Sequence, residues 1–314
     1  MYVADMHCDT ISELYKRRRQ GEQDGLGVNC LRVDVEKLKR GGYLLQNFAV
    51  FVDTKEEQER PYQCAKNQIA LFYEEMEKNA DRIRPAKTVQ EIERNQKDGI
   101  ISAVLTMEEG EICEGSLAKL EEFYRAGVRM MTFTWNYENS LGTKQGLTEL
   151  GIAFLKRMEE LGMIADVSHL PDAGFFDVCR YAKKPFVASH SNARALCGHK
   201  RNLTDDMIRM IAKRGGVIGI NYYGMFLEDC ADGSVCKSKV SKIADHICHM
   251  IRAGGISCVG LGSDFDGFVC ETEISDCAEI GMLWEEMRRR GISDHDIEAV
   301  FFRNAERVYR ECWK

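Results

Sequence analysis

The sequence predicts an α/β fold, a (β/α)8 barrel, and three observations carry that expectation. Short apolar or β-branched runs recur along the chain, eight in all. Segments of helical period fill the intervals, which is the alternation of a parallel sheet, and eight repeats are what closes a barrel. The 314 residues are 44% hydrophobic with 4 Pro against 27 Gly, so a large core can form and disordered or collagen-like classes are excluded.

In order, the runs are Tyr2 to Met6, Leu44 to Phe51, Ile101 to Met107, Val128 to Thr134, Met163 to Val167, Pro185 to Ser189, Gly216 to Asn221 and Cys258 to Gly262. Helical period appears over Leu117 to Tyr124, Leu150 to Leu161, Ala173 to Ala182, Met207 to Lys213 and Ile243 to Ala253. Gly127 and Gly162 stop two of these helices, and Thr204 ahead of Asp205 and Asp206 caps another. The stretch Asp53 to Lys97 is long, charged and helical. No Pro/Gly/Ser-rich linker flanks it, so it reads as one or two helices added to the barrel, and residues 1–314 as a single domain.

Charge and composition narrow the function classes. With Lys+Arg 43 against Asp+Glu 50 the net charge is -7, so no global field draws the chain to nucleic acid or anionic lipid. The short basic run Lys16 to Arg19 reads as a solvated helix face. No apolar stretch reaches the ~18 residues of a membrane span, and Asp5 and Asp9 stand where a signal peptide would be basic and then apolar. A cytoplasmic protein is expected. Thirteen Cys, an odd number without a CxxC pair, fit reduced thiols. Cys230 with Cys236 and Cys270 with Cys277 have the spacing of loop pairs, but buried or incidental thiols are expected there too.

Three of the seven His, namely His7, His169 and His190, fall at C-terminal ends of expected strands, the face where barrel enzymes carry their sites. His7 and Asp9 are two apart and share a side, although an Asp at that place can instead cap the next helix. Ser168-His169 and Ser189-His190 each close an apolar strand about one repeat apart. Glu108-Glu109 closes the third strand, and Asp264 and Asp266 close the eighth. Carboxylates there are unexpected as core residues, and a His/Asp/Glu/His/His donor set suits zinc or another borderline divalent metal. Other sites are disfavoured: the chain has no HExxH, no Walker loop and no GxSxG, and Gly260-Leu261-Gly262 lacks the rest of a dinucleotide fingerprint. His246 and His249, at i and i+3, are expected to face solvent.

With these motifs in hand, the sequence resembles the membrane (renal) dipeptidase family of metallopeptidases over nearly its whole length. The likeness rests on His7-Cys8-Asp9, Met107-Glu108-Glu109-Gly110, Asp166-Val167-Ser168-His169, Ser189-His190-Ser191, Lys200-Arg201-Asn202 and Gly262-Ser263-Asp264-Phe265-Asp266-Gly267. The resemblance implies a distorted TIM-like barrel with two zinc ions, His7 and Asp9 on one, His169 and His190 on the other, and Glu108 bridging. It also implies attack of a metal-bridging water on a dipeptide carbonyl, proton handling by Asp264, and an Arg201 grip on the substrate carboxylate. Where the family's animal members have a histidine at the end of the fourth strand, this chain has Trp135, which can donate one N–H but cannot carry a proton. Trp135 is expected as an aromatic wall of the substrate pocket, against the alternative of simple packing at the barrel mouth. The animal enzymes are lipid-anchored outside the cell, and neither that anchoring nor any membrane or nucleic-acid partner is expected here.

The expected activity is zinc-dependent cleavage of short peptides with a free C-terminal carboxylate, with small dipeptides as the partners and a homodimer left open. One alternative is a related amidohydrolase for a non-peptide amide or lactam, which would not depend on Arg201. A second is a non-catalytic metal-binding relative in which Trp135 marks lost catalysis. Retention of every proposed ligand together with Asp264 speaks against that second reading.

Overall fold

The computed structural model describes residues 1–57, 59–230 and 234–313. Its strands are β1 (Val3–Asp5), β2 (Tyr43–Phe51), β3 (Ile83–Pro85), β4 (Ile101–Glu108), β5 (Val128–Thr132), β6 (Gly142–Thr143), β7 (Gly146–Leu147), β8 (Ile164–Asp166), β9 (Ile218–Ile220) and β10 (Val259–Leu261). Neighbours run β8-β5-β4-β2-β1-β10-β9, all pairs parallel, with β3 added outside this path against β4. Between β8 and β9 the expected sixth strand survives as two bridges, Asp166 with Val187 and Ala188 with Ile218, and these close the ring. The distorted (β/α)8 barrel is therefore present, with one irregular stave.

At that stave the backbone runs unusually close to two glycines. An added Cβ at Gly219 or Gly262 would lie 1.9 Å or 1.7 Å from the carbonyl oxygen of Ser189. Only glycine lets the backbone at 187–189 sit that close to its neighbours. Its amides are still paired: Val187 N–H donates to Ala165, and Ala188 N–H to Val217.

The expected helices form as Leu117–Arg125, Glu149–Leu161, Asp172–Tyr181, Asp205–Lys213 and Val240–Gly254. Thr204 Oγ1 accepts from Met207 N–H, and Gly162 takes the left-handed cap at φ 84°. The charged stretch after Asp53 holds the helices Pro61–Lys78 and Val89–Lys97, the latter begun by a Thr88/Glu91 capping box. Strand β3 between them, and the β6–β7 hairpin, went unread in the sequence.

Strand parity aims the site. In β4, Ala103, Leu105 and Met107 pack outward into the main core under the helices, while Val104 belongs to an inner cluster with Ala4, Met6, Leu45, Met130, Ile164, Val187 and Val217. The helix Asn304–Cys312 closes that inner cluster with Val308 and Tyr309. Glu108 shares the parity of Val104, so its carboxylate faces the barrel axis at the C-terminal end.

Two expectations need correction. Cys230 and Cys236 are joined in a disulfide, their Cα atoms 5.8 Å apart across a short loop, so not every thiol is free; Cys270 and Cys277 are. His246 does not face solvent: it is fully buried, with Ala193 N–H donating to Nδ1 at 3.0 Å and Nε2 3.0 Å from the carbonyl of Leu227. The helix stripe carrying it packs inward, and two backbone partners replace water. His249 pairs with Asp205. Among the described residues no helix is long and apolar enough to cross a membrane.

Candidate active site

Glu108 stands at the centre of the barrel mouth. Its Oε2 lies 3.3 Å from His7 Nε2, and its Oε1 lies 2.7 Å from His169 Nε2 and 3.6 Å from His190 Nε2. Asp9 Oδ2 is 3.3 Å and Asp264 Oδ1 3.7 Å from the same His7 nitrogen. Three overlapping groups could hold a cation: His7 with Asp9 and Glu108, Glu108 with His169 and His190, and His7 with His190 and Asp264. All expected ligands thus converge. Glu108 belongs to two of the groups, as a bridging carboxylate must.

Asp9 is placed where it could cap a helix, at the N-cap position of Thr10–Arg19, yet its side chain accepts no capping hydrogen bond. Its Oδ1 is buried and without a partner, an orphan lone pair that a cation would satisfy. Together with the N and O donor set, this fits a borderline divalent metal.

Backbone and buried carboxylates position the donors. His169 and Asp264 both adopt left-handed backbone, φ 69° and 62°, conformations that non-glycine residues hold only where the surroundings impose them. Asp5 Oδ1 accepts from the N–H groups of His7 and Ser263, tying the end of β1 to the end of β10. Asp166 does the same for Ser168 and Ser189, and its Oδ2 accepts the Ser189 hydroxyl. Ser189 Oγ in turn lies 2.8 Å from His190 Nδ1. Asn136 Oδ1 is 3.1 Å from His169 Nδ1, and Asn221 Nδ2 donates to Asp264 Oδ2 at 2.8 Å. None of these supporting roles was read from the sequence; only the position of Asn221 at the end of a predicted strand hinted at one.

Electrostatics follow from crowding. Burial opposes charge on His7, but Glu108 and Asp9 outweigh it and hold the imidazole well above its ordinary value. Burial also raises Asp264, and with Asp9 and Glu108 nearby it is pushed up to about 8. His169 goes the other way, to about 4, through burial and the charge of Arg201. A buried cation would draw Asp264 back to its charged form.

Arg201 is not a surface residue: it is 8% exposed. Its Nη2 lies 3.5 Å from the His190 carbonyl, its Nε is buried without a partner, and its guanidinium sits 5.5 Å from the Phe226 ring centroid. Asp264, Glu108 and Asp166 are near enough to favour its charge, while burial opposes that charge. Trp135 lines the same cavity of about 680 Å³, its ring 6.1 Å from that of His169 and 4.9 Å from that of Phe51. Glu109, buried and at φ 86°, accepts Trp135 N–H and so sets the loop that carries it.

Against known proteins, the membrane dipeptidase family (peptidase family M19) matches residues 1–313. The chain belongs to this family. It is a peptide-bond hydrolase of a metal-dependent group. An uncharacterised protein of Klebsiella pneumoniae is 34% identical over 81% of this chain and 98% of its own length. The dipeptidase aclJ of Aspergillus oryzae is 30% identical over 88% of this chain and 69% of its own. Among solved structures, a metallopeptidase from Rhodobacter sphaeroides liganded with a phosphinate mimic of L-Ala-D-Ala superposes with a TM-score of 0.92 at 26% identity, covering 100% of this chain and 99% of that one. The metallopeptidase dipeptidase AC gives 0.91 at 27%, with 100% and 99% covered.

Proposed function

We propose that this family member hydrolyses dipeptides with a free C-terminal carboxylate, using two divalent cations, zinc by donor chemistry, within a catalytic unit that spans the whole chain. His7 and Asp9 would hold one, His169 and His190 the other, and Glu108 both. The observation that carries the reading is the shared Glu108 with a buried Arg201 beside it, its Nε without a partner. Such cations supply Lewis acidity, lowering the pKa of water and stabilising charge that develops on the attacked carbonyl oxygen.

The side chains do the rest. Arg201 binds the terminal carboxylate, which a planar guanidinium can grip in a bidentate way. Asn221 occupies Asp264 Oδ2, leaving Oδ1 toward His7 and the site. There Asp264 takes the proton of the attacking water and returns it to the amine nitrogen as the C–N bond breaks. Trp135 walls the pocket and, unlike a histidine, transfers no proton. The test is metal analysis followed by a panel of L,L and L,D dipeptides: two ions per chain with turnover of several dipeptides is expected, and a metal-loaded protein that cleaves none would overturn the reading.

A further inference from the structure

The cavity that opens onto His169 and Arg201 is lined by five cationic side chains, Lys55, Lys144, Arg194, Lys200 and Arg201, and by two carboxylates, Glu138 and Asp172. This cationic excess stands in a chain whose net charge is -7. Asp172 is already neutralised, since Arg194 holds both its oxygens at 2.8 Å and 2.7 Å. Glu138 accepts the backbone N–H of Lys144 and is exposed. The ammonium groups of Lys55, Lys144 and Lys200 form no ion pair among the described residues; that of Lys55 lies over the Tyr137 ring, 3.5 Å from its centroid. Asp53 and Glu56 are near Tyr137 but do not line the cavity, and Asp53 is engaged by the backbone N–H groups of Lys55 and Glu56.

A dipeptide's terminal carboxylate needs one cation, and buried Arg201 provides it. Three exposed lysines on the mouth remain over. The divalent cations of the proposed site would themselves neutralise the buried Asp9, Glu108 and Asp264. With Asp172 held by Arg194, the remaining lining charges are Lys55, Lys144, Lys200 and Arg201 against Glu138, and a cleft with such an excess of one sign concentrates ligands of the complementary sign.

We infer that the enzyme prefers dipeptides carrying an additional acidic side chain, with Lys55, Lys144 and Lys200 as the groups that select it. This deepens the dipeptidase reading above and rests on it. Aspartyl and glutamyl peptides, in either position, are the substrate class. Neutral dipeptides are cleaved more slowly, and basic ones more slowly still.

The experiment compares kcat/KM of the zinc-loaded enzyme on Glu-Ala against Gln-Ala and on Ala-Glu against Ala-Gln, the C-terminal residue in both L and D forms, with Ala-Ala as reference. Glu and Gln differ in charge at nearly equal size. We expect the acidic member of at least one pair to be favoured about ten-fold at low salt, and the gap to shrink at about 0.5 M salt, where the Debye length is only a few ångströms. In the triple variant Lys55→Gln, Lys144→Gln, Lys200→Gln the acidic-to-amide ratio should fall toward one, and melting temperature verifies folding. Equal rates on Glu and Gln peptides in the wild type, with Ala-Ala cleaved, would overturn this inference alone. A charge preference that neither salt nor the triple variant alters would overturn the role of these lysines. Failure to cleave any peptide would instead bring down the dipeptidase reading itself.

Discussion

The Nε2 atoms of His169 and His190 stand 2.9 Å apart at the barrel mouth. Each ring is held from behind, His169 by Asn136 and His190 by Ser189. A proton donated from each Nδ1 leaves both Nε2 lone pairs facing one point beside Glu108, an arrangement that makes chemical sense around a cation.

The five converging donors exceed the ~3 protein ligands of a single open zinc site, so about two ions per chain are expected. His169→Ala or His190→Ala should lose one ion preferentially and abolish turnover. Elemental analysis of each purified variant, beside the wild type, checks this. Full metal content and normal rates in both would contradict the assignment.

Ser189 accepts from His190 Nδ1–H and gives its own hydroxyl proton to Asp166, so it relays a buried carboxylate to a ligand. Ser189→Ala should weaken metal affinity by about 10-fold to 100-fold, the usual effect of removing such a partner. Competition with a chelator measures it without reference to turnover. An unchanged affinity would show that the ring is held by packing alone.

Arg201 should account for the requirement for a free C-terminus. Losing a charge-assisted contact of roughly 1.5 to 3 kcal/mol predicts a fall in kcat/KM of about one to two orders of magnitude for Arg201→Met on a dipeptide. The wild type should in turn discriminate against the C-terminal amide, and the variant should not. If the wild type cleaves both equally and the variant changes neither, Arg201 has no such role.

Trp135→Ala should leave the metal content and the fold in place while changing which side chains are accepted, since the ring lines the cavity rather than the inner core. Profiles over a dipeptide set, read with the melting temperature, decide the matter. A large drop in melting temperature with an unchanged profile would make it a packing residue only.

His246 predicts a pH effect on stability. Burial holds this imidazole below its ordinary value, and its Nδ1 must stay unprotonated to accept from Ala193 N–H. A depressed pKa of this kind adds stability that is complete above the unfolded value of about 6.5 and is lost as pH falls through the folded value. Melting temperature should therefore drop more steeply between about pH 7.5 and pH 5 in the wild type than in His246→Gln. Parallel curves would remove His246 from the account.

The sequence showed much of this because barrel strands are short apolar runs and because metal donors at their ends are chemically out of place in a core. What it hid has physical causes. The Pro185 to Ser189 run pairs only through two isolated bridges and packs against Gly219 and Gly262, which lie far away in sequence. Strand β3 is only Ile83–Pro85 and lies between two helices, too short for periodicity to register. Asp5, Asp166, Ser189 and Asn136 act through contacts made in three dimensions, and nothing in their spacing distinguishes them from ordinary polar residues.

The Asp5 clamp has a consequence for the order of assembly. It reaches Ser263 across 258 positions, joining the first stave of the ring to the last. During synthesis His7 and Asp9 emerge long before Asp264, which lies on the far side of the intervening strands and helices. A nascent or truncated product can therefore present some of the metal donors without the carboxylate meant to move the proton. Long-range closure of this sort is slow, because the chain entropy is lost before the contacts form. Activity should accordingly appear late in refolding, with the meeting of the two ends, and not with the earlier growth of helix content.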